Sequence, residues 1–216
     1  MGKKLKIEEF YQSRWLCAEQ ADALQCKLSG LEYRKYAYRA SVLKRAPKRE
    51  FFVPHSDGTV PLYRWGQNRS EYTSGRPLAD LPLLDAVRQR IAVETGESCN
   101  HCIVIEYSDG EKHHAPPHHD RQLGVNGNGA RDMAAGTSFF VLTLGYTRPF
   151  QLLDSDQKIV WQEQLPHGSL LQVTAAMNRE FFHAVPPDPT QPKDCPRYSA
   201  IFRTIRSGEG NVARAS

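Results

Sequence analysis

The sequence predicts a mainly β protein with helical elements confined to its N-terminal part and a sandwich or jelly-roll core behind them. Three observations carry this prediction. After Cys102 the chain breaks into short apolar runs punctuated by glycine and proline, a pattern of many brief strands. Before residue 100, two stretches carry apolar residues at helical spacing. No internal repeat runs through either half.

Taken in order, residues 7–29 read as a helix, with Ile7, Phe10, Tyr11, Trp15, Leu16, Ala21, Leu24 and Leu28 on one face and Gly30 as its stop. Leu31–Leu43 alternates loosely and suits a strand. A loop follows around Pro47 and His55-Ser56-Asp57-Gly58, where Asp-Gly signals a turn. Residues 63–76 read as irregular aromatic surface. Leu83–Thr95 is a second amphipathic helix, expected to turn Leu83, Leu84, Val87, Ile91 and Val93 inward before Gly96 ends it. Strands are expected at Ile103–Tyr107, Ser138–Leu144, Phe150–Leu153, Ile159–Gln162, Ser169–Val173 and Tyr198–Ile205, with one helical turn near Met177. Gly124–Gly129 lacks the Lys-Ser/Thr of a phosphate loop and reads as a flexible loop. The division expected is an N-terminal extension over 1–100, a core over 101–206 and a frayed tail over 207–216.

Composition narrows the function classes. A hydrophobic content of 40% and charged content of 24% over 216 residues are those of a globular domain with a full core. No apolar run approaches a membrane span, and the start lacks both the apolar region of a signal peptide and a myristoylation pattern. The expected compartment is cytoplasmic or nuclear, with no membrane partner. Five scattered cysteines argue against a disulfide framework. Cys99-Asn-His-Cys102 is a lone CxxC leading into an apolar run, and the structural reading is preferred over a metal or redox one. The net charge of +4 is uneven: residues 1–50 carry twelve Lys/Arg against six Asp/Glu, +6, leaving −2 for the other 166. Between Arg34 and Arg49 seven cations meet no acid, interleaved with Tyr36 and Tyr38. Such a segment suits phosphate contact and base stacking, or equally a charged edge strand.

The densest chemistry lies in His113-His114-Ala115-Pro116-Pro117-His118-His119-Asp120. An open iron(II) site needs two histidines and one carboxylate on one face, and His118-x-Asp120 sets two ligands on one side of an extended strand. In such a fold the third ligand arrives from a distant strand. His167 sits in a Pro-His-Gly-Ser turn, whereas His183 stands near a strand start, so His183 is the choice. His119 is expected to point away from the ligands, and His113 and His114 to belong to a loop or rim. His55-Ser56-Asp57 has the same spacing without a strand to frame it and reads as surface. Arg197 and Arg203, six apart on one strand, face the same way and need anionic partners, which a dicarboxylate satisfies.

These landmarks, in this order, resemble the AlkB-type iron(II)/2-oxoglutarate-dependent dioxygenases over roughly residues 46–206. They are Arg64-Trp65-Gly66, Tyr107-Ser108-Asp109-Gly110, His118-x-Asp120, Gly145-x-x-Arg148-x-Phe150, His167-Gly168-Ser169-Leu170-Leu171, His183-Ala184-Val185-Pro186, and Arg197 through Arg203. The resemblance implies a double-stranded β-helix (jelly-roll) core, with Fe(II) on His118, Asp120 and His183. It further implies 2-oxoglutarate held by Arg197 and Tyr107, with Arg203 near the metal end, and O2 as oxidant. It implies oxidative demethylation of N-alkylated nucleobases in DNA or RNA, with a recognition lid within 1–100 to which Tyr63, Trp65, Tyr72 and Arg76 are assigned. The sequence departs from the family at Ile105, Ser199 and Ile201 near the cosubstrate, and at Arg121 and Gln122, where the demethylases carry acids. Two other readings stay open here: a hydroxylase of a small molecule or protein side chain on the same fold, and a catalytically silent binding module.

Overall fold

Strict alternation along the central strands sets the architecture. In the computed structural model, which describes residues 10–34, 46–61, 63, 75–126 and 132–206, the strands are β1 (Tyr11–Gln12), β2 (Lys48–Phe52), β3 (Arg76–Pro77), β4 (His101–Tyr107), β5 (Ala115–His118), β6 (Phe139–Gly145), β7 (Arg148–Leu153), β8 (Ile159–Leu165), β9 (Ser169–Val173), β10 (Phe182–Val185) and β11 (Arg197–Arg203). They form a seven-stranded sheet, β1-β9-β6-β11-β4-β2-β3, and a four-stranded sheet, β5-β10-β7-β8. The pairings are antiparallel, except that β2 runs parallel to β3. This is the mainly β, jelly-roll architecture that the sequence predicts.

The large sheet is buried on both faces. Cys102 and Val104 of β4, Phe140, Leu142 and Leu144 of β6, and Tyr198, Ala200 and Phe202 of β11 pack with Ala21, Leu24 and Leu28 of α1 (Ala18–Ser29) and Leu84, Val87 and Ile91 of α2 (Pro82–Thr95). The intervening residues, Ile103, Ile105 and Tyr107, Phe139 and Val141, join Phe150, Leu152 and Val185 of the small sheet in a second core. At about 1.5–3 kcal/mol for each large apolar side chain removed from water, either core outweighs any single polar contact in the fold.

The helix expected over 7–29 begins only at Ala18, because Tyr11 and Gln12 pair instead with Leu171 and Leu170. Trp15 and Leu16 are buried without being helical. The Trp15 indole donates to Glu94, Arg90 lies over its ring, and the Leu16 N–H donates to the Gly168 carbonyl. Sheet pairing thus overrides a spacing that looks helical. α2 follows its expectation, with Pro82 in the first turn and Gly96 left-handed at φ 76°, although Leu83 and Val93 face solvent rather than the core.

Five strands, β1, β2, β3, β5 and β10, fall outside the strand ranges that the sequence predicts. β2 occupies part of the expected loop, and its Arg49 and Glu50 are buried, Glu50 Oε1 accepting from His101 Nε2 at 2.8 Å in a fully enclosed pair. β5 carries Pro116 and Pro117, tolerated because it is the edge of its sheet. β10 is four residues long. Of the basic stretch, residues 35–45 lie outside the described residues; Arg34 is exposed, Lys48 half-buried and Arg49 buried. The Gly-rich loop is described only through Asn126, and the tail from 207 lies outside the described residues as well. No described helix is long and apolar enough to cross a membrane.

Gly145 ends β6 at φ +80°, and a Cβ there would stand 2.2 Å from the Pro196 carbonyl oxygen. Gly145→Ala is expected to cost about 2 kcal/mol or more, through left-handed strain plus displacement of the segment entering β11. An unchanged urea midpoint would refute this.

Candidate metal centre and its cavity

Antiparallel pairing of β5 with β10 places His118 directly opposite His183, their ring centroids 4.2 Å apart. Asp120 follows two residues on, and one ligand atom from each of the three residues lies within 4.8 Å of the others. The predicted triad therefore converges in space. It forms a group that can hold a metal ion. The neighbours prepare it for that task. His118 Nδ1 lies 2.8 Å from the Pro116 carbonyl, which can only accept, so Nδ1 carries the proton and Nε2, 3.8 Å from Asp120 Oδ1, presents its lone pair. His183 is wedged by Phe139 and stacked on Phe150, at centroid distances of 5.1 and 5.8 Å.

Asp120 is held from the large sheet. Arg203, at the end of β11, donates from Nε (2.8 Å) and Nη2 (2.7 Å) to Asp120 Oδ2, while the Tyr63 hydroxyl stands 3.5 Å from Oδ1. Burial alone would raise the Asp120 pKa, but Arg203, then His183 and His118, bring it down to about 2. Burial holds His183 well below the ordinary histidine range, and lowers His118 as well despite the nearby carboxylate. At neutral pH the triad is therefore two neutral imidazoles and a carboxylate, the protonation state that metal coordination requires.

The sequence reading missed one element of this site. Asn178, buried in α3 (Ala175–Glu180), accepts from the Asp120 N–H (2.9 Å) and donates to the Asp120 carbonyl (3.0 Å), closing both backbone groups of the carboxylate residue with one side chain. Only the helical turn near Met177 hinted at it.

The triad opens on a cavity of about 250 Å3. Its lining includes Tyr107, Ser199, Ile105 and Ile201 from the large sheet, and Lys48, Tyr63, His114, His119 and Arg121 nearer the triad and β5. Arg197 is not in the lining. It lies fully buried behind it, its guanidinium 5.0 Å from the centre of the Tyr107 ring. Its Nη2 donates to the Thr143 hydroxyl, while Nε and Nη1 find no acceptor among the described residues. Burial pulls its pKa down to about 10, with Tyr107 opposing and Arg148 adding to the shift. A buried guanidinium with two such donors has the chemistry to take a carboxylate. Arg148, 5.3 Å from the same ring, is engaged by the carbonyls of His113 and Pro186.

The other residues singled out in the sequence take the following places. His119, expected to point away from the ligands on an extended strand, follows the end of the strand at His118 and joins the cavity lining, its ring tilted against Phe182. His113 is a loop residue whose Nδ1 accepts from the N–H groups of Ser108 and Asp109. His167 is committed elsewhere, accepting from the Gly145 N–H beside Asp22. Asp57 caps Thr59 in the loop after β2. Tyr63 is buried rather than displayed, its hydroxyl accepting from the Arg121 N–H, and Arg76 is exposed outside the lining. Trp65 and Tyr72 lie outside the described residues. Cys99 and Cys102 are buried, and burial raises the Cys99 thiol to about 12, far from a reactive thiolate.

Two outcomes follow. Asn178→Ala is expected to weaken divalent-metal binding about 10- to 100-fold in chelator competition. Arg203→Met is expected to destabilise the metal-free chain by about 3–5 kcal/mol near neutrality by stranding Asp120. The folded pKa of Asp120, about 2, lies below the ordinary 3.8. Its ionisation therefore stabilises the fold above that ordinary value, and the contribution fades as pH falls toward the folded value. Denaturation curves should accordingly converge for the two proteins as the medium is acidified, and a gap independent of pH would contradict the pair.

No family model matches the chain. It is 27% identical over 165 residues to the DNA oxidative demethylase ALKBH2 of Bos taurus, covering 71% of this chain and 54% of that protein. It is 25% identical over 133 residues to ALKBH2 of Homo sapiens, covering 58% and 47% respectively. The chain thus spans about half the length of the curated relatives it matches. Among solved structures, OsALKBH1 superposes with a TM-score of 0.55 at 16% identity, covering 90% of this chain and 96% of that one. In sequence, at modest identity, the chain is similar to the ALKBH2 DNA oxidative demethylases, and in fold it is similar to OsALKBH1.

Proposed function

We propose that this chain is an iron(II)- and 2-oxoglutarate-dependent dioxygenase that removes N-alkyl groups from nucleobases of DNA or RNA. The observation that carries the reading is the convergence of His118, Asp120 and His183 beside a cavity backed by the unsatisfied donors of Arg197. ALKBH2, the relative matched in sequence, is by name a DNA oxidative demethylase.

Each residue then has a task. His118, Asp120 and His183 would hold the iron through two imidazole nitrogens and one carboxylate oxygen. Arg203 keeps Asp120 ionised and fixes its orientation. Arg197, with the Tyr107 phenol beside it, takes the far carboxylate of 2-oxoglutarate, which satisfies donors that are otherwise stranded. Bound together, iron and 2-oxoglutarate supply the oxidising power that activates O2 toward a C–H bond. The apolar walls formed by Val141, Phe150 and Ile201 keep bulk water from the reacting group. An N-methyl group hydroxylated here becomes a hemiaminal, which releases formaldehyde and leaves the free nitrogen. Of the described residues of the basic stretch, Lys48 lies in the lining and Arg34 is exposed, and a nucleic-acid backbone would give such cations phosphates to meet.

The test is succinate and formaldehyde release with iron, 2-oxoglutarate and methylated single-stranded oligonucleotides. His118→Ala is expected to abolish both products. Arg197→Ala should raise the KM for 2-oxoglutarate at least about tenfold, the loss of a buried charge-assisted contact. Succinate formation stimulated only by a small molecule or peptide would overturn the nucleobase reading while leaving the oxygenase one standing.

A further inference from the structure

The strands that carry the two candidate histidine ligands are poorly held by their own backbones. β10 is four residues long, and its ladder with β7 is paired only from Phe182 to Ala184. Continuing that register would set Pro149 against Pro186, and neither has an N–H to donate. On its other side β10 meets β5, whose Pro116 and Pro117 lack donors as well, and the register shifts between His183 and Val185. Yet His118 and His183 must stay opposite each other if they are to share one ion.

Arg148 supplies the donors that the prolines lack. It is the first residue of β7 and is fully buried. Its Nη1 donates to the His113 carbonyl at 2.8 Å, and its Nη2 donates to the Pro186 carbonyl. His113 lies two residues before β5 begins, and Pro186 immediately follows β10. One planar guanidinium therefore ties the entry of one histidine strand to the exit of the other. The guanidinium is held in turn. Nη1 also donates to Gln191 Oε1 at 3.4 Å, the Tyr107 ring centre lies 5.3 Å from Cζ, and the Gln191 amide donates to the carbonyls of Tyr107 and Cys195. These acceptors are all neutral, and Arg148 Nε meets none among the described residues. A charge buried on such terms is costly to keep for packing alone.

Resting on the reading of the triad as a metal site, we propose that Arg148 is a positioning residue of the metal centre. Its two carbonyl contacts set the placement of β5 against β10, and with it the distance between His118 and His183. It acts through the two strand ends, so its removal changes the geometry offered to the ion while all three ligand candidates remain in the chain.

The test titrates the full chain with Co(II), read as affinity in chelator competition and as the visible absorption spectrum of the bound ion. Arg148→Met keeps an unbranched apolar stem and removes the donors. It is expected to weaken Co(II) binding at least about tenfold and to alter the spectrum. Arg148→Lys keeps the charge but replaces the fork with one nitrogen, and should recover part of that loss. Leu84→Ala, in the helical cover, controls for lost stability alone: its melting temperature should fall while cobalt affinity and spectrum stay unchanged. Wild-type affinity and spectrum in a folded Arg148→Met overturn the proposal, as does an equal loss of affinity in Leu84→Ala. Should Arg148→Met not fold, Arg148→Lys decides: reduced affinity supports the proposal and wild-type affinity rejects it. If the wild-type chain binds no cobalt, the metal reading falls, and amide hydrogen exchange of the metal-free protein decides the clamp separately. Faster exchange in β5 and β10 of Arg148→Lys, with β6 unchanged, supports it; unchanged exchange in β5 and β10 rejects it.

Discussion

The ion pair between Arg203 and Asp120 is the interaction on which the site depends. It joins the last residue of β11, in the large sheet, to a metal-ligand candidate carried just beyond the edge strand of the small sheet. Both side chains are almost completely buried, so each charge would be prohibitively costly without the other. The pair keeps Asp120 anionic in a place where burial alone would protonate it. It also locks the spacing between the sheets at the point where the two histidines face each other. Asn178 completes this arrangement by holding the backbone of the same residue, so both ends of Asp120 are fixed before any ligand arrives.

Much of this was legible in the sequence. The strands of the second half could be read because each combines apolar alternation with turn residues at its ends, and β9 falls where expected. The triad was legible because two ligands two residues apart on a strand constrain where a third can be, and of the later histidines only His183 stands at the start of a strand. The six-residue spacing of Arg197 and Arg203 correctly implied a shared face, since both belong to the odd-numbered side of β11.

What escaped reading has physical causes. β2 can bury a charged residue because Glu50 meets His101 from the neighbouring strand, a tertiary pairing that no local pattern reveals. β5 holds two prolines that only an edge position permits. Tyr11 takes strand rather than helix because Leu171 is there to pair with it, 160 positions away. His119 enters the cavity because regular strand geometry stops one residue earlier. Asn178 had no motif of its own, as its role lies in two backbone hydrogen bonds that any asparagine can make once brought near.

Because β11 is buried on both faces, its two registers answer to different demands. Tyr198, Ala200 and Phe202 adhere to the helical layer, while Arg197, Ser199, Ile201 and Arg203 belong to the chemistry on the other side. Alternate residues of one strand can therefore drift under separate selection: the even positions are answerable to the stability of the helical cover, the odd ones to whatever the cavity must hold. The two departures from the AlkB-type pattern within this strand, Ser199 and Ile201, both fall in the odd register, where a lineage could retune its chemistry without disturbing the scaffold that carries it.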